Sequence, residues 1–171
     1  KDFFQDSGNI ALFDGAMGTE IYRRGVYINQ CFESLNITNP DLIHQICRDY
    51  IDAGADIIET NTFCANRFHL TRHGYEDRVK TVIQEGIRIA KRAAQNRGYV
   101  ATAIGPIGKL LEPFGPARTE DLEEQYEEIL QFAAEEGSDL LLFETFRDLK
   151  ELEIALQIEK KLQTGIPVIA Q

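Results

Sequence analysis

The sequence is poor in cysteine, in basic charge and in long apolar runs, and each shortage excludes something. Three cysteines in 171 residues, odd in number and widely spaced, do not make a disulfide framework. Lys and Arg number 18 against 28 Asp and Glu, which leaves a formal net charge of -10 and a sequence pI of about 4.8. A nucleic-acid binder normally needs a basic face, so no nucleic-acid partner is expected. The same charge gives no attraction to anionic lipid, and no apolar run is long enough to span a bilayer, so no membrane partner is expected. Lys1 to Gly8 lack the apolar stretch of a signal peptide. The low cysteine usage fits a reducing cytoplasm, which is the expected location. Ser/Pro-rich linkers and low-complexity segments are also missing.

What is present is the composition of a globular domain, 43% hydrophobic and 27% charged. Five short, nearly continuous apolar stretches read as strands: Ile10 to Phe13, Asp56 to Ile58, Tyr99 to Ile104, Asp139 to Phe143 and Pro167 to Ala170. Helical patterns lie between them. One follows Asn39-Pro40, carries Leu42/Ile43, Ile46/Cys47 and Tyr50/Ile51, and stops at Ala53-Gly54. The next carries Val79, Val82/Ile83, Ile87, Ala90 and Ala93/Ala94. A third follows Thr119, with Glu120 and Asp121 suiting the helix dipole, and ends near Gly137. A fourth follows Asp148 and stops at Gly165. Strict alternation of strand and helix predicts a parallel sheet with right-handed crossovers.

One internal echo refines this. Gly54-Ala55-Asp56, five residues, then Thr62-Phe63 matches Gly137-Ser138-Asp139, five residues, then Thr145-Phe146. Such a quasi-repeat suits a (β/α)8 barrel, and it sets Asn61 and Glu144 at equivalent positions. A whole barrel needs about 250 residues. The pattern alone leaves an open doubly wound sheet and an incomplete barrel as alternatives.

Ligands of parallel sheets bind at the carboxyl ends of the strands, so the polar residues there are the candidates. The first strand runs into Asp14-Gly15-Ala16-Met17-Gly18-Thr19. Asp14 could hold an ammonium, and backbone N–H groups among the small residues could hold a carboxylate. The alternative is a glycine-rich turn capped by Asp14. The second strand ends in Glu59-Thr60-Asn61-Thr62-Phe63. Alternation puts Glu59 and Asn61 on one face and Thr60 and Thr62 on the other, without saying which face lines a pocket. Glu144 follows four apolar residues, and burying it demands a positive or hydrogen-bonding partner: a substrate ammonium, or an internal salt bridge with Arg147 or Arg118. Gly105-Pro106-Ile107-Gly108 brings backbone close to the mouth or is a simple turn. Cys47 lies on an apolar stripe and reads as core. Cys31 and Cys64 have no second cysteine or histidine at ligand spacing, so no metal ligand is expected among the cysteines. His69 and His73, an i, i+4 pair without the HExxH glutamate, read as a solvated helix face.

Taken in order, Asp14 to Thr19, Cys31-Phe32-Glu33-Ser34-Leu35-Asn36, Ala53 to Phe63, Ala65-Asn66-Arg67 and Phe143-Glu144-Thr145 resemble the homocysteine S-methyltransferase family. The resemblance implies an α/β fold, a partial (β/α)8 TIM barrel of about the first five strands and four helices. Residues 1–171 are then the N-terminal portion of a homocysteine-binding barrel domain. It implies methionine synthesis, a part of one-carbon metabolism, in which a zinc-bound homocysteine thiolate takes a methyl group from a donor. By motif, Asp14 and Glu144 would hold the substrate ammonium, and N–H groups around Gly15 and Ala16 its carboxylate. Thr60 would add a hydroxyl, Asn61 belongs to the same motif, and Phe63 would form a pocket wall. The family's three zinc cysteines belong to later strands, so the ligands are expected beyond this chain. The substrate-anchoring half is expected here, with the 171 residues inactive alone and prone to self-association through unpaired edges. The resemblance leaves the donor open: methylcobalamin, S-methylmethionine or a related methyl-onium compound, with cobalamin or folate as the donor system of a parent protein that carries further domains. A non-catalytic amino-acid-binding module or a truncated remnant is the alternative. An aldolase-like barrel with Lys109 as Schiff base is a poor third, because Lys109 sits in a loop.

Overall fold

The computed structural model of the protein describes residues 10–171. After α1 (Met17–Arg23), α2 (Leu35–Thr38) and α3 (Pro40–Asp52) the chain alternates strictly. β1 (Ile57–Glu59) leads through α4 (Arg67–Thr71) and a 3-10 turn to α5 (Val79–Ala94) and β2 (Tyr99–Ile104). Then come α6 (Thr119–Glu136), β3 (Leu140–Phe143), α7 (Leu149–Leu162) and β4 (Val168–Ala170). The sheet has the order β1-β2-β3-β4 and every pairing is parallel. Each strand therefore lies beside its predecessor, as successive strands of a barrel wall do.

The expected strand at Ile10 to Phe13 is reduced to one parallel bridge, Phe13 to Ile57. The Leu12 N–H donates to the Asp56 carboxylate at 3.0 Å, where a ladder would supply a backbone carbonyl. Pairing resumes only at the Leu12 carbonyl and the Asp14 N–H, and Ile10 is left 91% exposed. The echo along the chain has the same physical basis. Asp139 takes the N–H of Val100 just as Asp56 takes that of Leu12, so each aspartate ties its strand to the one before. Gly54 and Gly137 precede them at φ +102° and +72°, the left-handed conformation that ends a helix and that glycine adopts at least cost.

The four expected helices form α3, α5, α6 and α7. Pro40 opens α3, and its apolar stripe buries Ile43, Ile46, Cys47 and Ile51. Asp121 takes the N–H and guanidinium of Arg118 to open α6. Asp148 caps α7, which ends in a left-handed residue at Gln163, just before the expected stop at Gly165. The short helices α1, α2 and α4 escape periodicity, since none has enough turns to show it.

Alternation along the strands divides the core. Ile58, Val100, Ile104, Leu141 and Phe143 pack outward against the helices. Ile57, Ala101, Leu140 and Leu142 form a separate inner layer with Phe13, Tyr99 and Ile169. Toward the carboxyl ends of the strands the inner face continues into Glu59 of β1, Ala103 of β2 and Glu144 just after β3, which border a cavity. Apolar residues fill the floor of the half-barrel, and carboxylates stand at its mouth.

Candidate active site: an acidic mouth

The cavity at the mouth holds about 520 Å³. It is bordered by Asp14, Gly15, Ala16, Phe32, Glu33, Glu59, Thr60, Asn61, Phe63 and Glu144, so all seven residues singled out in the sequence meet there. Asp14 after the Phe13 bridge, Glu59 at the end of β1 and Glu144 just after β3 bring three carboxylates to it, Glu33 adds a fourth from the turn before α2, and among the described residues no lysine or arginine lines it.

Asp14 is held by its Oδ2, which accepts from the N–H of Glu59 at 3.0 Å. Its Oδ1 is buried and has no partner among the described residues. Burial is the main cause that pushes the Asp14 carboxyl from the ordinary 3.8 up to about 7, with Glu144 adding repulsion. Burial likewise pushes Glu59 up to about 8, aided by Glu144 and Asp14. Glu144 is also raised, by burial, against the pull of a hydrogen bond with Glu59. The site is therefore short of positive charge by construction. The internal salt bridge proposed for Glu144 does not form among the described residues: Arg118 pairs with Asp121 instead.

The other candidates divide by what their polar groups already do. The Thr60 hydroxyl accepts from the Ala103 N–H and sits 2.6 Å from the Thr62 hydroxyl, so it is engaged in the wall. Asn61 Nδ2 donates to the Phe32 carbonyl and to Asn36 Oδ1. Asn36 in turn donates to the carbonyls of Asn61 and Val82. This buried network ties the end of β1 to α2 and α5, and Asn61 positions the mouth. Phe63 lies against Gly105 so closely that a Cβ there would come within 2.5 Å of its ring. The Gly105 loop thus seats Phe63 rather than facing the cavity. The N–H groups of Gly15 and Ala16 donate to no described residue. Thr145, which follows Glu144 and also borders the cavity, has φ +62°. For a β-branched residue that conformation is strained, as is common where a site fixes its neighbour.

Glu59, which carried no assigned role, belongs to the acidic trio, and its place on the inner face was the open question of the alternation. His69 is not a solvated helix residue. Its ring is half-buried, with Nε2 3.5 Å from Glu33 Oε2, while Cys31 Sγ lies 3.6 Å from the same oxygen. Hydrogen bonding with Cys31 and then with Glu33 raises His69 to about 9, and burial opposes this. Burial alone would raise Glu33, but hydrogen bonds from His69 and from backbone amides outweigh it and hold the carboxyl low. Lys109 stacks on the Phe68 ring, away from the cavity lining.

The zinc site that the resemblance implies needs three thiolates together, and the three cysteines here do not provide it. Cys47 is fully buried among the α3 side chains in one apolar cluster, while Cys31 belongs to another. Burial pushes the Cys47 thiol up to about 12, which disfavours the thiolate a metal needs.

A parallel β/α half-barrel with an acid-lined pocket at the carboxyl ends of its strands has the architecture of a barrel-type enzyme domain, in which that end of the sheet is where ligands bind. Residues 11–171 match the homocysteine S-methyltransferase family, and the chain belongs to it. It is 33% identical over 180 residues to methionine synthase of Mycobacterium tuberculosis, covering 96% of this chain and 15% of that protein. It is 28% identical to homocysteine S-methyltransferase 2 of Arabidopsis thaliana, covering 98% of this chain and 59% of that one. The metallated form of the homocysteine methyltransferase MmuM from Escherichia coli shares the fold, with a TM-score of 0.83 at 22% identity, over 98% of this chain and 63% of its own. The fold is part of a (β/α)8 barrel. The chain spans about a seventh of the methionine synthase and under two thirds of the plant enzyme.

Proposed function

We propose that this chain carries the amino-acid-anchoring part of a homocysteine S-methyltransferase site. The observation that carries the reading is Asp14 Oδ1, a buried carboxylate oxygen without a described partner, in a cavity shared with Glu59 and Glu144. Leaving a buried acceptor unpaired costs about 1–3 kcal/mol, more if charged, and a substrate ammonium would recover it. Asp14 and Glu144 hold the ammonium in this reading, with Glu59 sharing the load. The N–H groups of Gly15 and Ala16 take the α-carboxylate, and Phe63 walls the side-chain path. Thr60 shapes the wall through Ala103 and Asn61 fixes the loop, so neither needs to touch the ligand.

The chemistry this assigns to the chain is binding and orientation. Fixing the amino-acid end of homocysteine holds its sulfur in one place for methyl transfer. Zinc, the metal implied by the resemblance, would supply a thiolate at neutral pH, and no cysteine of this chain is assigned to the three-thiolate site. The methyl donor, through cobalamin, folate or a methyl-onium compound, belongs to the whole protein.

Calorimetric titration with L-homocysteine tests the reading. Glu144→Gln should weaken binding by about 1.5–3 kcal/mol, the worth of a charged hydrogen bond, which is roughly tenfold to a hundredfold. Glu59→Gln should weaken it in the same direction. Unchanged affinity in both variants refutes the assignment.

A further inference from the structure

Beyond the acidic trio, a second cluster of chemically capable groups stands beside the mouth. Cys31 Sγ and Glu33 Oε2 come from the turn before α2, and His69 Nε2 comes from α4. One donor atom from each lies within 4.8 Å of the others. We propose that Cys31, Glu33 and His69 form a site for a divalent cation of the zinc class, distinct from the three-thiolate centre of the family.

The distances carry the inference. Zinc binds sulfur at about 2.3 Å and nitrogen or oxygen at about 2.0–2.2 Å, so tetrahedral neighbours around it stand about 3.4 Å apart for N and O and about 3.6 Å for S and O. The corresponding separations here are 3.5 Å for His69 Nε2 to Glu33 Oε2 and 3.6 Å for Cys31 Sγ to Glu33 Oε2. Two edges of a coordination tetrahedron are therefore already in place.

The donors are also held from behind. Glu33 Oε1 accepts the N–H of Cys64 at 3.0 Å, which leaves Oε2 turned to the cluster. Ser34 Oγ donates to the Cys31 carbonyl at 2.7 Å and fixes that turn. Asn66 Oδ1 accepts the N–H of His69 at 2.8 Å and caps α4 beneath the ring. Partners that orient the ligating side chains are what a metal site requires around it. Cys31 is 4% and Glu33 6% exposed, whereas the His69 side chain is 28% exposed and gives a cation and a fourth, aqueous ligand a way in. A thiolate with an imidazole selects zinc or cobalt over magnesium or calcium, which prefer all-oxygen shells. On uptake the Cys31 thiol proton and the His69 Nε2 proton leave to solvent, so that sulfur binds as thiolate and the ring as neutral imidazole. The bound cation would staple the Cys31 to Asn36 turn to α4, and with it Phe32 and Glu33 in the cavity wall.

The test uses the Lys1–Gln171 chain, stripped with chelator and dialysed against Zn²⁺ or Co²⁺. Wild type should retain about one equivalent of metal at this site, and the cobalt form should show a thiolate-to-cobalt charge-transfer band and tetrahedral d–d bands. Cys31→Ser should abolish the charge-transfer band. His69→Gln, a change at a half-exposed ring that leaves the fold intact by circular dichroism, should weaken binding by more than about tenfold. Cys47→Ala and Glu59→Gln should both keep the metal, which separates this site from the other thiol and from the acidic trio. Absence of bound metal in wild type overturns the proposal and leaves an imidazole–carboxylate pair. Equal binding by wild type and His69→Gln overturns it too, as does a cobalt band that persists in Cys31→Ser.

Discussion

Replacing Asp14 by asparagine should stabilise the unliganded protein at pH 8 while removing an anchor for its ligand. The Asp14 carboxyl is raised from 3.8 to about 7, chiefly by burial. Each tenfold change in proton affinity is worth about 1.4 kcal/mol, so ionised Asp14 costs the fold about 4 kcal/mol at most. Partial hydration at the open mouth and the weaker hydrogen bond that an amide oxygen offers the Glu59 N–H reduce this to about 1–2 kcal/mol. The sign follows from proton counting. Below about pH 4 the carboxyl is protonated in folded and unfolded chains alike, and the substitution gains nothing. Between about 4 and 7 the folded state retains a proton that the unfolded state has lost, so wild-type stability falls as pH rises. Above about 7 both are ionised, and the advantage of asparagine reaches its plateau. Urea denaturation of both proteins at pH 4 and pH 8, followed by circular dichroism because the chain has no tryptophan, measures the difference. An advantage that is the same at both pH values, or a loss of stability at pH 8, refutes the argument that the mouth stores unpaired negative charge.

The same raised carboxyls predict that homocysteine affinity increases from pH 6 to pH 8. Asp14 and Glu59, with pKa values near 7 and 8, are largely neutral at the lower pH and must ionise to hold an ammonium. Titration calorimetry in buffers of different ionisation enthalpy should then show proton release near pH 7. Asn36→Ala should cost about 2–4 kcal/mol of stability, since it strands the Asn61 amide and two buried carbonyls. Thermal melts would check this, and a loss below about 1 kcal/mol would mean that water replaces the side chain. Gly105→Ala should displace the Phe63 ring and weaken ligand binding more than it lowers the melting temperature. Equal binding by this variant and wild type would remove Phe63 from the pocket wall.

The alternation of strands and helices was legible in the sequence because the main helices carry repeating apolar stripes and most have boundary signals: Pro40 opens α3 and Gly54 follows its end, and Gly137 closes α6. The Gly-x-Asp echo was legible too, and its cause is a side-chain hydrogen bond from each aspartate to the neighbouring strand. Ordered motifs from Asp14 to Glu144 pointed to one family and to one end of the sheet. What alternation could not decide was which face turned inward at β1. That depends on the register against β2 and on which layer the helices cover, and it placed Glu59 with Asp14 and Glu144. Nor could spacing foresee that the Thr60 hydroxyl would be taken up by Ala103 in the wall. The first strand shrank to a bridge because one carboxylate, Asp56, competes for the Leu12 N–H. The meeting of Cys31 and Glu33 with His69 is the plainest tertiary result. Ligand spacing in a sequence registers only donors that share a turn or a helix. These donors come from the turn before α2 and from α4, and they meet because both segments fold over the same strand ends.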